Sequence, residues 1–186
     1  DLFNEDNGPA YSPAFVTKYR EGQVARNHRI TAWALDELAR VRADGFSDRA
    51  FTVHRTWADP RMVDPTLEPT KRPANLCYAG VPVKANRSTF GIGCATTLKN
   101  WLGMWSLSHA QTRAEPHLAD VTVPALVINA DGDTGVFPSD AQHIYDALGS
   151  ADKSQASVDA DHYFQNPGAR QEQADTIAEW TSKRWE

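Results

Sequence analysis

Cysteine is nearly absent from this sequence: Cys77 and Cys94 are the two in 186 residues. They stand 17 positions apart, with no second pair and no histidine at ligand spacing. That argues against a disulfide framework and a zinc site, and predicts two reduced, partly buried thiols. Long apolar runs are missing too, none approaching the roughly 18 residues of a membrane span. Neither charge sign dominates. Lys plus Arg number 19 against 24 Asp plus Glu, a net charge of -5 without a basic block, which speaks against a nucleic-acid partner. The opening residues Asp1-Leu-Phe-Asn-Glu-Asp-Asn-Gly-Pro lack the basic and apolar regions of a secretion signal. The first residue is Asp rather than Met, and the expectation is a processed or truncated polypeptide. Asn86-Arg87-Ser88 fits a glycosylation sequon, a match short enough to arise by chance.

What is there begins with a helical region over residues 12–43. Ser12 suits an N-cap and Pro13 the first turn, and Phe15, Tyr19, Ile30, Trp33, Leu38 and Val41 supply the apolar recurrence. Gly22 is the point where it could bend or break. From Asp44 to Arg87 the chain is punctuated by Pro60, Pro65, Pro69, Pro73 and Pro82, which predicts covering loops rather than helix or central sheet. Between Thr96 and Ala110, Leu98, Trp101, Leu102 and Trp105 fall at helical spacing with Met104 beside them, a strongly apolar helix face. The last third alternates: a strand at 125–130, a helix opening at Pro138, a strand near 155–158 and a closing helix from about Arg170 to Trp185. Strand, helix, strand, helix predicts a parallel sheet and an α/β fold. Two strands are too few for a doubly wound sheet, so further strands are expected from elsewhere.

Each of these strands runs into a loop with a chemically useful residue. Val123-Pro-Ala-Leu-Val-Ile-Asn-Ala-Asp-Gly-Asp133 ends on a carboxylate, and Asp159-Ala-Asp-His162-Tyr-Phe164 presents an imidazole. In parallel sheets reactive groups gather beyond the carboxyl ends of the strands, where loops converge. A carboxylate there can accept the N–H of an imidazole, fix its tautomer and stabilise the imidazolium formed when the other nitrogen takes a proton. Alone, an Asp after a strand is usually a turn former and a His is usually a packed, hydrogen-bonded residue. The two together, acid before histidine, make a catalytic pair the stronger reading.

Val123 to Pro138, taken with Asp161-His162-Tyr163, resembles the C-terminal end of an α/β-hydrolase, a family whose catalytic order is Ser, then acid, then His. The resemblance covers residues 121–185. It implies that residues 119–186 are the C-terminal part of the hydrolase sheet and that residues 1–118 are a helical, proline-rich cap. It further implies that Asp133 is the triad acid and His162 the general base. Asp131 is a second candidate for the acid, with Asp133 preferred for its place nearer the Val136-Phe137-Pro138 turn. Trp101, Met104 and Trp105 are candidates for lining a substrate pocket under the cap, although an apolar helix stripe is more often core.

The third member of the triad is missing. The family's nucleophile elbow, G-x-S-x-G, needs glycine two residues either side of the nucleophile because its backbone is strained, and none of the ten serines here has both. Cys94, within Gly91-Ile-Gly-Cys94-Ala95, is a poor substitute, since no strand leads into it. The oxyanion hole is lost with the elbow, because one of its donors follows the nucleophile. The sequence therefore reads as the C-terminal part of a serine hydrolase acting on a carboxylic ester or related acyl bond, its serine supplied by a missing N-terminal half or a companion chain. No metal or organic cofactor is implied. An aspartate nucleophile, as in dehalogenases and epoxide hydrolases of the same fold, is the alternative enzyme. A non-catalytic fragment or binding module, acting through an apolar cap and an open sheet edge, is the alternative of another kind.

Overall fold

The computed structural model describes residues 9–88 and 94–185. The chain divides into two compact units, the first formed by residues 1–64 and 79–113, the second by 65–78 and 114–186. Fourteen residues of the proline-rich stretch, 65–78, belong to the second unit.

The first unit is built on α1 (Pro13–Ala43). Ser12 caps it by accepting the Phe15 N–H at 3.2 Å, and Pro13 occupies the first turn, where its missing donor costs nothing. The helix runs unbroken through Gly22. Its C-terminal half buries Ala34, Leu38 and Val41 against Val53, Leu98 and Trp101, each large apolar side chain contributing roughly 1.5–3 kcal/mol by leaving water. Across this core β1 (Ala50–Thr52) pairs antiparallel with β2 (Ala95–Thr97), Phe51 opposite Thr96. Trp33 is 41 % exposed, lying instead against Phe51 with ring centroids 5.0 Å apart.

The helix expected over 96–110 is much shorter. Residues 95–97 are strand, α2 is a single turn (Pro82–Ala85), α3 covers Leu98–Asn100, and Trp101–Trp105 widen into a π turn. Its closing bond runs five residues back, from Ser106 N–H to the Trp101 carbonyl at 3.0 Å. Asn27 of α1 then ends it. The Asn27 amide donates to the Trp105 carbonyl at 2.7 Å and its oxygen accepts from Leu107 N–H at 3.0 Å. Apolar spacing found the buried face, but a side chain from α1 supplies the terminating hydrogen bonds.

In the second unit, α4 (Glu115–Leu118) leads to β3 (Ala125–Ala130), α5 (Pro138–Ala147), β4 (Lys153–Val158) and α6 (Pro167–Ser182). β3 and β4 pair in parallel, Ala125 opposite Lys153 and Ala130 opposite Val158. The parallel arrangement expected of the last third is thus present as a two-stranded pair. The start of α6 lies three residues earlier than expected, because Asn166 caps it through Gly168 N–H at 2.9 Å and Pro167 follows. Trp180 anchors α6 by donating to Ser154 Oγ at 3.2 Å, whereas Trp185 is exposed. Ala130, Val158, Ala160 and Ala169 form the small core beneath. Both cysteines are free and buried. Asn86 of the sequon is buried as well, its side chain bonded to both N–H and C=O of Trp57 at 2.9 Å. Among the described residues no helix is long and apolar enough to cross a membrane.

Two stability tests follow from these contacts. A Cβ on Gly149 would lie 2.8 Å from the Ala119 carbonyl carbon and closer still to its oxygen; because backbone cannot step aside as a side chain can, Gly149→Ala should cost about 2 kcal/mol in urea denaturation. Glu37 is a buried carboxylate held by Arg40 at 2.6 and 2.9 Å and by Arg49. The Arg40 hydrogen bond, aided by both guanidinium charges, keeps its pKa below the ordinary glutamate value. A lowered folded-state pKa gives stability that is complete above the unfolded value and lost as pH falls through the folded one. The Tm gap between the native protein and Glu37→Gln should therefore shrink from pH 7 towards pH 3; a constant gap would refute this role.

Candidate active site

Asp133 and His162 meet at the carboxyl ends of β3 and β4. The His162 Nδ1 lies 3.0 Å from each carboxylate oxygen of Asp133. A turn formed by its own chain fixes that carboxylate: Oδ1 accepts the N–H of Gly135 at 2.7 Å and of Val136 at 3.0 Å. Asp133 is buried, so these bonds replace the water it has lost. An ionised carboxylate only accepts, which assigns the proton to Nδ1 and leaves the Nε2 lone pair free to accept. Among the described residues Nε2 has no hydrogen-bond partner, and the imidazole retains 27 % of its side-chain exposure.

The loop bearing His162 is shaped by Asp161. Its Oδ1 accepts the N–H groups of Tyr163 at 3.0 Å and Gln165 at 3.1 Å, while Phe164 takes a left-handed backbone at φ 50°. Gly132 N–H donates to the Ala160 carbonyl at 2.9 Å, tying the acid loop to the histidine loop. Asp131, the other candidate acid, is engaged elsewhere. It accepts from Ser157 Oγ and lies 3.4 Å from Lys71 Nζ, which also pairs with Asp159 at 3.0 Å. Those two acids hold the Lys71 ammonium above its usual pKa, the Asp159 hydrogen bond first.

Sequence reasoning missed one aromatic wall. Tyr78 stacks on His162, ring centroids 4.4 Å apart and 14° from parallel, and Tyr163 meets both rings edge-on. Burial, and then the negative groups around it, raise the Tyr78 pKa, so its phenol stays neutral through the working range of a histidine. Gly135 is where the stack touches the acid turn. A Cβ there would come within 2.7 Å of Tyr78 Cε1 and closer to Cδ1. Nothing periodic marks Tyr78, which lies in an irregular proline-rich segment.

That segment has a second attachment, to α5. Glu68 accepts from Ser139 N–H at 2.8 Å and Ser139 Oγ at 2.7 Å, and the Arg72 guanidinium lies 4.7 Å from the centre of the buried Phe137 ring. Asp140 closes the first turn of α5 by accepting Phe137 N–H at 2.9 Å.

The three pocket candidates all belong to the first unit. Trp101 is buried in its core, Trp105 is half-buried against it, and Met104 is 48 % exposed. Cys94 is buried, and Gly91–Gly93 before it lie outside the described residues. A serine does approach a different histidine: Ser108 Oγ lies 3.0 Å from His109 Nδ1. No carboxylate bonds His109 among the described residues, so nothing orients that imidazole as a base. The described residues also contain no group of three or more His, Cys, Asp or Glu able to hold a metal ion.

No family model, curated protein or solved structure matches the chain. Gly135→Ala tests how the imidazole is held. The added methyl should drive Tyr78 off the ring face, removing the upfield ring-current shift of the His162 proton signals in NMR spectra. An unchanged shift would separate Tyr78 from the positioning of His162.

Proposed function

We propose that this chain is the C-terminal part of a serine α/β-hydrolase that cleaves a carboxylic ester or related acyl bond. The observation that carries the reading is the Nδ1 of His162 at 3.0 Å from both oxygens of Asp133, with Nε2 left without a partner among the described residues. That arrangement suits a general base: a fixed tautomer, a buried carboxylate to stabilise the imidazolium, and an Nε2 lone pair not taken by another described residue. The absence of G-x-S-x-G from the sequence supports a nucleophile carried on other polypeptide. The half-buried residues of β3, paired among the described residues with β4 alone, support a larger sheet, since two strands by themselves are marginal.

In the proposed cycle Nε2 of His162 takes the serine proton as the oxygen attacks the acyl carbon. The imidazolium, held by Asp133, returns that proton to the leaving alcohol, and an acyl-enzyme remains. Water repeats the sequence and releases the acid. Asp133 orients and balances charge without itself taking the proton.

The test uses the enzyme as its source produces it. Every polypeptide that co-purifies is sequenced and labelled with a fluorophosphonate. A labelled serine in a G-x-S-x-G segment, with His162→Ala lowering kcat by about four orders of magnitude, is the expected outcome. Activity that survives His162→Ala within a few-fold would overturn the base assignment. Hydrolysis without labelling would overturn the serine.

A further inference from the structure

The first unit holds a cavity of about 290 Å³ between α1 and the segments around residues 53–58 and 101–107. Its body is apolar, with Ile30, Val53, Trp101 and Trp105 in its walls. Its charge is of one sign: Arg26 and Arg55 line it, and no Asp or Glu among the described residues does. Arg26 is half-buried and donates two of its guanidinium N–H groups to backbone carbonyls, those of His54 and, at 3.4 Å, Arg55. It has no carboxylate partner among the described residues. Burial lowers its pKa, Tyr19 opposes this, and Arg55 and Arg29 act in the same sense as burial. A cation partly withdrawn from water beside like charges is stabilised by an anion placed against it.

Asn27, which also lines the cavity, is already spent on Trp105 and Leu107, and Trp101 Nε1 and Thr56 Oγ1 are buried away from its surface. What the lining lacks among the described residues is a negative charge to face Arg26. A volume near 300 Å³ sits at the small end of ligand sites, enough for one ring or a branched chain. A planar guanidinium matches the planar fork of a carboxylate, while a phosphate dianion would need more donors than one half-buried arginine offers.

We propose that this cavity binds a small organic carboxylate, an aromatic or branched aliphatic acid, with its apolar body on Ile30, Val53, Trp101 and Trp105 and its carboxylate on Arg26. The site belongs to the first unit alone and does not depend on the hydrolase reading. Binding is read without turnover, so the two readings fail separately.

Calorimetric titration at low ionic strength and pH 7 with 3-phenylpropionate, 3-phenylpropanamide and 3-phenylpropan-1-ol provides the test. One saturable site is expected, with the acid bound at least tenfold tighter than either neutral analogue. Arg26→Gln should erase that preference and leave the neutral compounds unchanged, and Val53→Phe, which fills the cavity, should weaken all three. Should Arg26→Gln fail to fold, the ligand series on the native protein decides. Equal affinity for acid and amide, no saturable binding of the acid, or a preference that survives Arg26→Gln would each overturn the proposal.

Discussion

A buried carboxylate has to be satisfied from every side, and Asp133 organises the second unit by that requirement. Its own turn supplies two backbone donors, and a third comes from an imidazole delivered by the next strand of the parallel pair. The turn can close on the carboxylate only because Gly135 carries no side chain where Tyr78 lies. Tyr78 in turn arrives with a segment that also reaches the first turn of α5 through Glu68. The loops beyond β3 and β4, the stacked tyrosine and the opening of α5 therefore form one connected arrangement around a single charge.

The two acids of the β3 turn show how position within a few residues divides the work. Asp131 accepts from Ser157 and pairs with Lys71, which also draws in Asp159, so it ties neighbouring strand ends together. Asp133, two residues on, points its oxygens at His162. Exposed ion pairs such as those of Lys71 contribute little individually. Their effect is directional: an acid already engaged with a lysine is a poorer partner for the imidazole.

Much of the second unit was legible in the sequence because its signals are local. The apolar run at 125–130 matches β3 residue for residue, and Pro138 marks α5. Asp133 and His162 stood out because each follows a strand, and their side chains meet at 3.0 Å. Tyr78 was not, since its stacking depends on where an irregular segment comes to rest, and no periodicity encodes that. The same limit shortened the expected helix over 96–110. Apolar spacing there reports Leu98 and Trp101 as core, while the end of the π turn is written in Asn27, far away in sequence. Long-range hydrogen bonds to loops leave no pattern in either of the segments they join.

Asn86 carries a consequence for how the protein can be made. Its side chain is folded inward and bonds both backbone groups of Trp57, yet Asn86-Arg87-Ser88 is a sequence that a eukaryotic oligosaccharyltransferase reads on the nascent chain, before folding. A sugar attached at that moment would sit on the atom that must donate to the Trp57 carbonyl, and would have to be buried with it. Passage through a secretory pathway that glycosylates thus conflicts with the native packing of this loop, and a host without that machinery avoids the conflict.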